Sequence, residues 1–492
     1  MSMNVVLFVT DDHGAWAAGC YGNAEVRTPT LDYLADTGVL FENAYTPSPV
    51  CSPARASLFT GRLPSQHGIH DYLAEADPEV RAISWLEGET LLPTVLQQQG
   101  YVTGMAGKWH LGTDERPAAG FDYWYCRSAP VSEASGYQAP WPLTPSAEKA
   151  YDRHAITDHG IEFLRHQSPD RPFFLVVSLL ATHSPWAGVP DRLVEQYRGS
   201  AFADIPHDLA YPFGRQRSES LYSTRDNPHE AQAQYYGAVS DIDEQVGRIV
   251  DELDSLRLRE ETTVVYTSDH GLNMGHHGIW GKGNATLPYN VVEESIRIPL
   301  IVNAPGAILG HQRRTENVTH LDTFQTILEL TGCRCPSSAP TPYPGRSYAS
   351  CLAGEPLTDA PDRVFAEYGN LRMVRTARHK LVRRYPNGPD ELFDLERDPR
   401  ETVNVIDAAD QVDTVAELTS SLDDYFATFE QHEHSGRRVL QQPRHNGDEA
   451  WRDTRPPVLV EGHDWLDELE NAIQARRAAQ PYHPSDPHGV DA

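Results

Sequence analysis

The most constraining feature of this chain is a set of short apolar runs, each followed by charged or imidazole-bearing residues. Asn4-Val5-Val6-Leu7-Phe8-Val9-Thr10 leads into Asp11-Asp12. Thr263-Val264-Val265-Tyr266-Thr267-Ser268 leads into Asp269-His270-Gly271, and the run from Phe173 to Leu180 is followed by His183. A weaker run at Tyr101-Val102-Thr103 leads to Gly107-Lys108-Trp109-His110. Continuous apolar runs of this length fit parallel strands buried on both faces. Helical segments lie between them. Thr30 can cap Leu31 to Asp36 with Gly38 as the stop, Thr94 to Gln99 ends at Gly100, and Ala238 to Leu256 has amphipathic spacing. The alternation implies an α/β fold, a large, mainly parallel sheet sandwiched by helices. Ligands of such sheets bind beyond the carboxyl ends of the strands, so the runs predict one shared crevice.

Asp11, Asp12, Asp269 and His270 form the predicted metal set. An Asp pair after one strand is commonly a turn or a cap; two such clusters in one chain favour a metal. Three carboxylates suit a hard divalent ion, and the imidazole adds a softer donor. Calcium is expected first, with manganese or magnesium as alternatives.

Between these clusters lies Cys51-Ser52-Pro53-Ala54-Arg55-Ala56-Ser57-Leu58-Phe59-Thr60-Gly61-Arg62. Pro53 suits the first turn of a helix and Gly61 its end. Cys51 is then expected just before the helix N-terminus, where free N–H groups favour anions. Arg55, four residues on, shares its face. The C-x-P-x-R element with its T-G-R tail resembles the signature of the sulfatase family. The Gly107-Lys108-Trp109-His110-Leu111-Gly112 pattern is similar to that family too.

The resemblance implies that a formylglycine-generating enzyme oxidises Cys51 to formylglycine, whose hydrate is the nucleophile and a metal ligand. It implies that Lys108 contacts the formylglycine and sulfate oxygens, that His110 positions the hydrate, and that His183, on an exposed loop, contacts the substrate. Lys282, in His277-Gly278-Ile279-Trp280-Gly281-Lys282, matches the family's second sulfate-binding lysine. Here Gly283 to Val292 intervenes before Glu293-Glu294-Ser295, a longer loop than relatives often have. His270 stands where the family often has Asn. The likeness extends through Met373 to Thr376 and Glu391 to Pro399, implying a small C-terminal antiparallel sheet on which a helix from Val412 to Phe429 packs.

At 492 residues the chain can hold one large domain and a smaller one. The expected division is a catalytic domain over 1–355, a small α+β subdomain over 362–430, and an extension over 431–492. In the extension His432, His434 and His445 with Arg437, Arg438 and Arg444 form a basic, His-rich patch. A tail folded over the crevice, a dimer contact and a loose extension are all open. The last dozen residues read as disordered. Lys plus Arg total 41 against 70 Asp plus Glu, a net charge of −29. Such a surface repels nucleic acid and anionic membranes and favours small substrates. With neither a leader-like N-terminus nor a spanning apolar run, a cytoplasmic location is expected. The six cysteines are scattered and form no disulfide framework.

The resemblance thus implies hydrolysis of a sulfate monoester, of a sulfated sugar or an aryl sulfate. His70 and Asp71, in the loop after the Cys51 helix, and Asn273 and His276 are expected as polar contacts to sugar hydroxyls. A phosphonate or phosphate monoester hydrolase of the same superfamily is the alternative, because such enzymes can share formylglycine and an Asp/Asp/Asp/His set. A non-catalytic binding protein is the reading from a different class.

Overall fold

The computed structural model describes residues 3–126, 153–184, 186, 188–206, 215–216, 227–335, 341–357 and 362–452. Its principal sheet has eight strands, in the order 312–319, 39–45, 300–303, 262–268, 4–10, 173–179, 102–107, 123–125. Asn4–Thr10 lies at the centre, parallel to Thr262–Ser268 on one side and to Phe173–Leu179 on the other. Leu300–Asn303 runs against both of its neighbours.

The apolar runs are continuous because both faces of the sheet are covered. Val5, Leu7 and Val9 join a core with Leu58, Phe59, Val95 and Phe324. Val6 and Phe8 point the other way, into a core with Leu34, Ile156, Ile242 and Val246. Period-two alternation thus feeds two cores, and each fully buried side chain of this kind contributes about 1.5–3 kcal/mol. The long helix is Pro228–Ser255, ten residues earlier in its start than its apolar spacing indicated. Its N-terminal turn is capped by Asn227 and carries Pro228, signals that apolar periodicity does not register.

The expected small sheet is present as Val364–Tyr368, Leu371–Arg375, His379–Arg384 and Glu391–Asp394, all antiparallel. Helix Val412–Phe429 packs on it through Leu418, Leu422 and Phe426. Beyond it, short helical turns at His432–His434, Gly436–Gln441 and Ala450–Arg452 return along residues 65–74. The last dozen residues, read as disordered, lie outside the described residues. Among the described residues no helix is long and apolar enough to cross a membrane.

Candidate active site

Strand register brings the site together. Thr10 pairs with Ser268 on one side and Leu179 on the other, and Gly107 pairs with Ser178. Asp11, Asp269, Lys108 and the His183 turn therefore leave adjacent parallel strands at one edge. The Cys51–Thr60 helix lies against this edge, with Cys51 as its first residue and Val50 as N-cap. The helix thus begins one position earlier than expected, within the ordinary slack of helix ends. Gly61 closes the helix in the left-handed region at φ 68°.

Cys51 Sγ sits 3.2 Å from His270 Nε2, 3.4 Å from Asp11 Oδ1 and 3.2 Å from Lys282 Nζ. Lys108 Nζ donates to Asp11 Oδ2 at 2.5 Å, and Lys282 Nζ to Asp12 Oδ1 at 2.9 Å. Arg55 donates through Nε to Asp269 Oδ2 at 2.9 Å and through one Nη to Ser178 Oγ at 2.8 Å and the Lys108 carbonyl at 3.0 Å. Its other Nη, 3.9 Å from Asp11, has no hydrogen-bond partner among the described residues. His270 donates from Nδ1 to the Gly271 carbonyl at 2.9 Å and turns Nε2 towards the carboxylates. Donor atoms of Asp11, Cys51, Asp269 and His270 all lie within 4.8 Å of one another, and so do those of Asp12, Cys51 and His183.

The electrostatics reflect this crowding. Burial by itself raises the Asp11 carboxyl, but Lys108, His183, Arg55 and Lys282 outweigh it and hold it well below the usual range. Asp12 is lowered in the same way, burial being overcome by Lys282, His183 and His270. Asp269 is raised, by burial first and by the charge of Asp11, even with Arg55 on it. Burial lowers His270, yet Asp269 and Cys51 push it up to about 9. A divalent cation would have to displace the Nε2 proton to use that nitrogen as a donor. The donor set fits a hard ion: three carboxylates and one imidazole whose Nε2, once deprotonated, would aim its lone pair inward.

His183 is not on an exposed loop. It is buried beside Asp12 and Cys51, with Nδ1 2.5 Å from the Ser184 carbonyl, because Thr182 ties this turn to the Asp11 and Asp12 carbonyls. His110 lies two residues beyond Lys108 at φ 58°, and its Nε2 donates to the Leu73 carbonyl at 3.1 Å. The expected sugar contacts do not line a rim. His70, Asp71 and Asn273 are fully buried and His276 is 2% exposed. His70 donates to the His434 carbonyl, Asp71 accepts from Tyr368, Asn273 donates to Gly281 and Ser295, and His276 packs at a tilt against Trp16, ring centroids 4.4 Å apart. Later parts of the chain cover His70, Asp71 and Asn273, and the earlier Trp16 covers His276. Sequence reading also missed Ser178, Thr182 and Asn290. Ser178 was detectable as a lone hydroxyl inside an otherwise apolar buried strand.

Comparison with known proteins completes the picture. The model of the sulfatase family matches residues 3–333. The chain belongs to the sulfatase family. A second model, for the C-terminal part of N-sulphoglucosamine sulphohydrolase, matches this sulfatase over residues 275–428. An N-acetylglucosamine-6-O-sulfatase of Bacteroides thetaiotaomicron is 26% identical over 499 aligned positions, 86% of each chain. The N-acetylgalactosamine-6-sulfatase of Homo sapiens is 28% identical, over 77% of this chain and 70% of its own. A solved structure in complex with its substrate D-glucosamine-2-N,6-O-disulfate has a TM-score of 0.72 at 23% identity, covering 87% of this chain and 98% of that one. The phosphonate monoester hydrolase of Agrobacterium radiobacter reaches 0.68 at 22% identity, covering 88% and 96%. These structural likenesses concern the fold. The sulfatase is a sulfuric ester hydrolase, as its family and named relatives establish.

Proposed function

We propose that the chain hydrolyses a sulfate monoester on a small sugar, that residue 51 acts as formylglycine, and that Asp11, Asp12, Asp269 and His270 hold one divalent cation, calcium first. The observation that carries this reading is Cys51 Sγ at 3.2 Å from both Lys282 Nζ and His270 Nε2, inside a C-x-P-x-R helix. The sugar substrate is supported by the two relatives above, an N-acetylglucosamine-6-O-sulfatase and an N-acetylgalactosamine-6-sulfatase.

When hydrated, the aldehyde at residue 51 supplies an oxygen nucleophile and a second hydroxyl that restores the carbonyl. The cation, when bound, supplies Lewis acidity towards that oxygen and towards the sulfate. The remaining work falls to the chain's own side chains. Lys108 and Lys282, fixed by Asp11 and Asp12, present ammonium groups to the sulfate oxygens. Arg55 keeps Asp269 in place and turns its unpaired Nη towards the same space. His183 or Lys282 gives a proton to the departing sugar oxygen. Each preorganised donor of this kind contributes roughly 3–4 kcal/mol to the barrier reduction.

Peptide mass spectrometry of Thr28–Arg55, after expression with a formylglycine-generating enzyme, tests the nucleophile. An aldehyde or hydrate mass at Cys51, with sulfate released from sulfated sugars, is the expected result. An intact thiol from a host that matures other sulfatases would overturn it. The phosphonate hydrolase alternative retains one supporting observation, His270 in the metal set. A large preference for phosphonate over sulfate esters would select it.

A further inference from the structure

The loop that carries Lys282 and the turn that carries Cys51 touch directly, since Gly283 N–H donates to the Pro49 carbonyl at 3.2 Å. Lys282 is held from behind by Asn290, whose Nδ2 donates to its carbonyl at 3.1 Å. Asn290 N–H donates in turn to Gly283, and its Oδ1 accepts from Ser295. Next to Asn290 is Tyr289, and here the C-terminal extension enters. Tyr289 OH donates to the Asp448 carbonyl at 2.7 Å and accepts from Ala450 N–H at 3.1 Å. Asp448 also accepts from Tyr72 OH at 2.6 Å, and Asn446 donates to the Tyr72 carbonyl at 2.9 Å. The neighbouring Leu73 N–H donates to Ser52 Oγ, one residue from Cys51.

Packing tells the same story independently. Val439 and Trp451 of the extension share an apolar cluster with Val50, which precedes Cys51, and with Leu287 and Tyr289, which follow Lys282. One segment, distant in sequence, therefore grips the backbone flanking both side chains.

We propose that residues 432–452 form a clasp that fixes Lys282 and Cys51 relative to each other, making Tyr289 and Trp451 positioning residues for the reaction. The proposal rests on the reading of those two side chains as catalytic. The test uses full-length Tyr289→Phe and Trp451→Ala, with Leu440→Ser, on the exposed side of the same segment at 41% exposure, as control. Steady-state kinetics on a sulfated sugar are paired with amide hydrogen exchange at Gly283 and Asn290. Both variants are expected to lose protection at those two amides while the central strands keep theirs. Their kcat falls roughly tenfold, equivalent to about 1.4 kcal/mol of barrier, with KM unchanged, because a displaced Lys282 weakens transition-state contacts and not the bulk of sugar binding. Leu440→Ser behaves as wild type.

Unchanged exchange at Gly283 and Asn290, or lost protection with kcat intact, would overturn the clasp. Should Trp451→Ala not fold, Tyr289→Phe, which removes a single oxygen atom, decides alone. Should the wild type cleave no sulfate ester, the functional reading fails separately, and the exchange result still judges whether the clasp holds the loop.

Discussion

Asp11 and Asp12 stand one after the other yet do different work. Asp11 takes Lys108 and the Cys51 thiol, whereas Asp12, at φ 63°, turns to take Lys282. A non-glycine residue in the left-handed region is costly and clusters at functional sites. Replacing Lys282 by Ala is expected to lower kcat by roughly 100-fold or more, the loss typical of a preorganised donor, measured as sulfate release under saturating substrate. Removal of divalent ions with EDTA is expected to lower the thermal unfolding midpoint as well as the rate, because an ion that binds only the folded chain stabilises it by mass action. Calcium should restore both. A midpoint indifferent to EDTA and calcium would argue against the cation site. Asp11, Asp12, Asp269 and His270 were legible because each follows a run that reads as a buried strand. Cys51 and Arg55 were legible from one contiguous motif. His70, Asp71, Asn273 and His276 were misread as a rim, since local sequence gives no sign of which distant segment will cover a loop.

At the scale of elements, strand ends aim the chemistry, and one glycine shows how tightly. Gly107 ends its strand at φ 112°, and a Cβ there would lie 1.9 Å from the Ser178 carbonyl oxygen. That same oxygen accepts the Lys108 N–H at 3.0 Å. Gly107→Ala is therefore expected to cost at least about 1–2 kcal/mol in urea unfolding, from the left-handed backbone alone, and to lower kcat by moving Lys108. Stability and kcat equal to wild type would show that the strand end tolerates the shift. The parallel strands were readable from their continuous apolar runs, and the Val412–Phe429 helix from the family resemblance. The start of the Pro228–Ser255 helix was not, because Asn227 and Pro228 signal a helix start by capping and φ restriction, which a hydrophobic pattern does not record.

At the scale of the whole molecule, His434 and His445 of the C-terminal segment close over the buried ring of His70. His70 donates through Nε2 to the His434 carbonyl, and its backbone N–H donates to His445 Nε2. Burial, with His445 nearby, pushes the His70 ring down from 6.5 to about 3. Between these values the unfolded chain takes up a proton that the folded chain refuses, so stability rises with pH and is lost on acidification. The contribution is complete above 6.5 and is lost as the pH falls towards 3, at up to about 1.4 kcal/mol per pH unit. His70→Gln removes this dependence. Its stability deficit against wild type, from urea unfolding at several pH values, should be widest at neutral pH and narrow on acidification. A gap that stays constant would show that His70 is protonated alike in both states. The net charge of −29 was readable at once; the fold-back of residues 432–452 was not, because its partners lie more than 360 positions away for His434 and Gln66.

The thiol at position 51 is 2% exposed, and much of what encloses it arrives late. His270 lies 219 positions downstream of Cys51 and Lys282 lies 231. At a synthesis rate of roughly 5–20 residues per second, Cys51 stays uncovered for about 11–44 s before His270 emerges, and longer before the clasp follows. An enzyme acting on Cys51 therefore competes against a clock set by the chain's own elongation. If residue 51 is converted as proposed, the ribosome-bound chain offers the open substrate, and a molecule that closes unconverted would have to reopen.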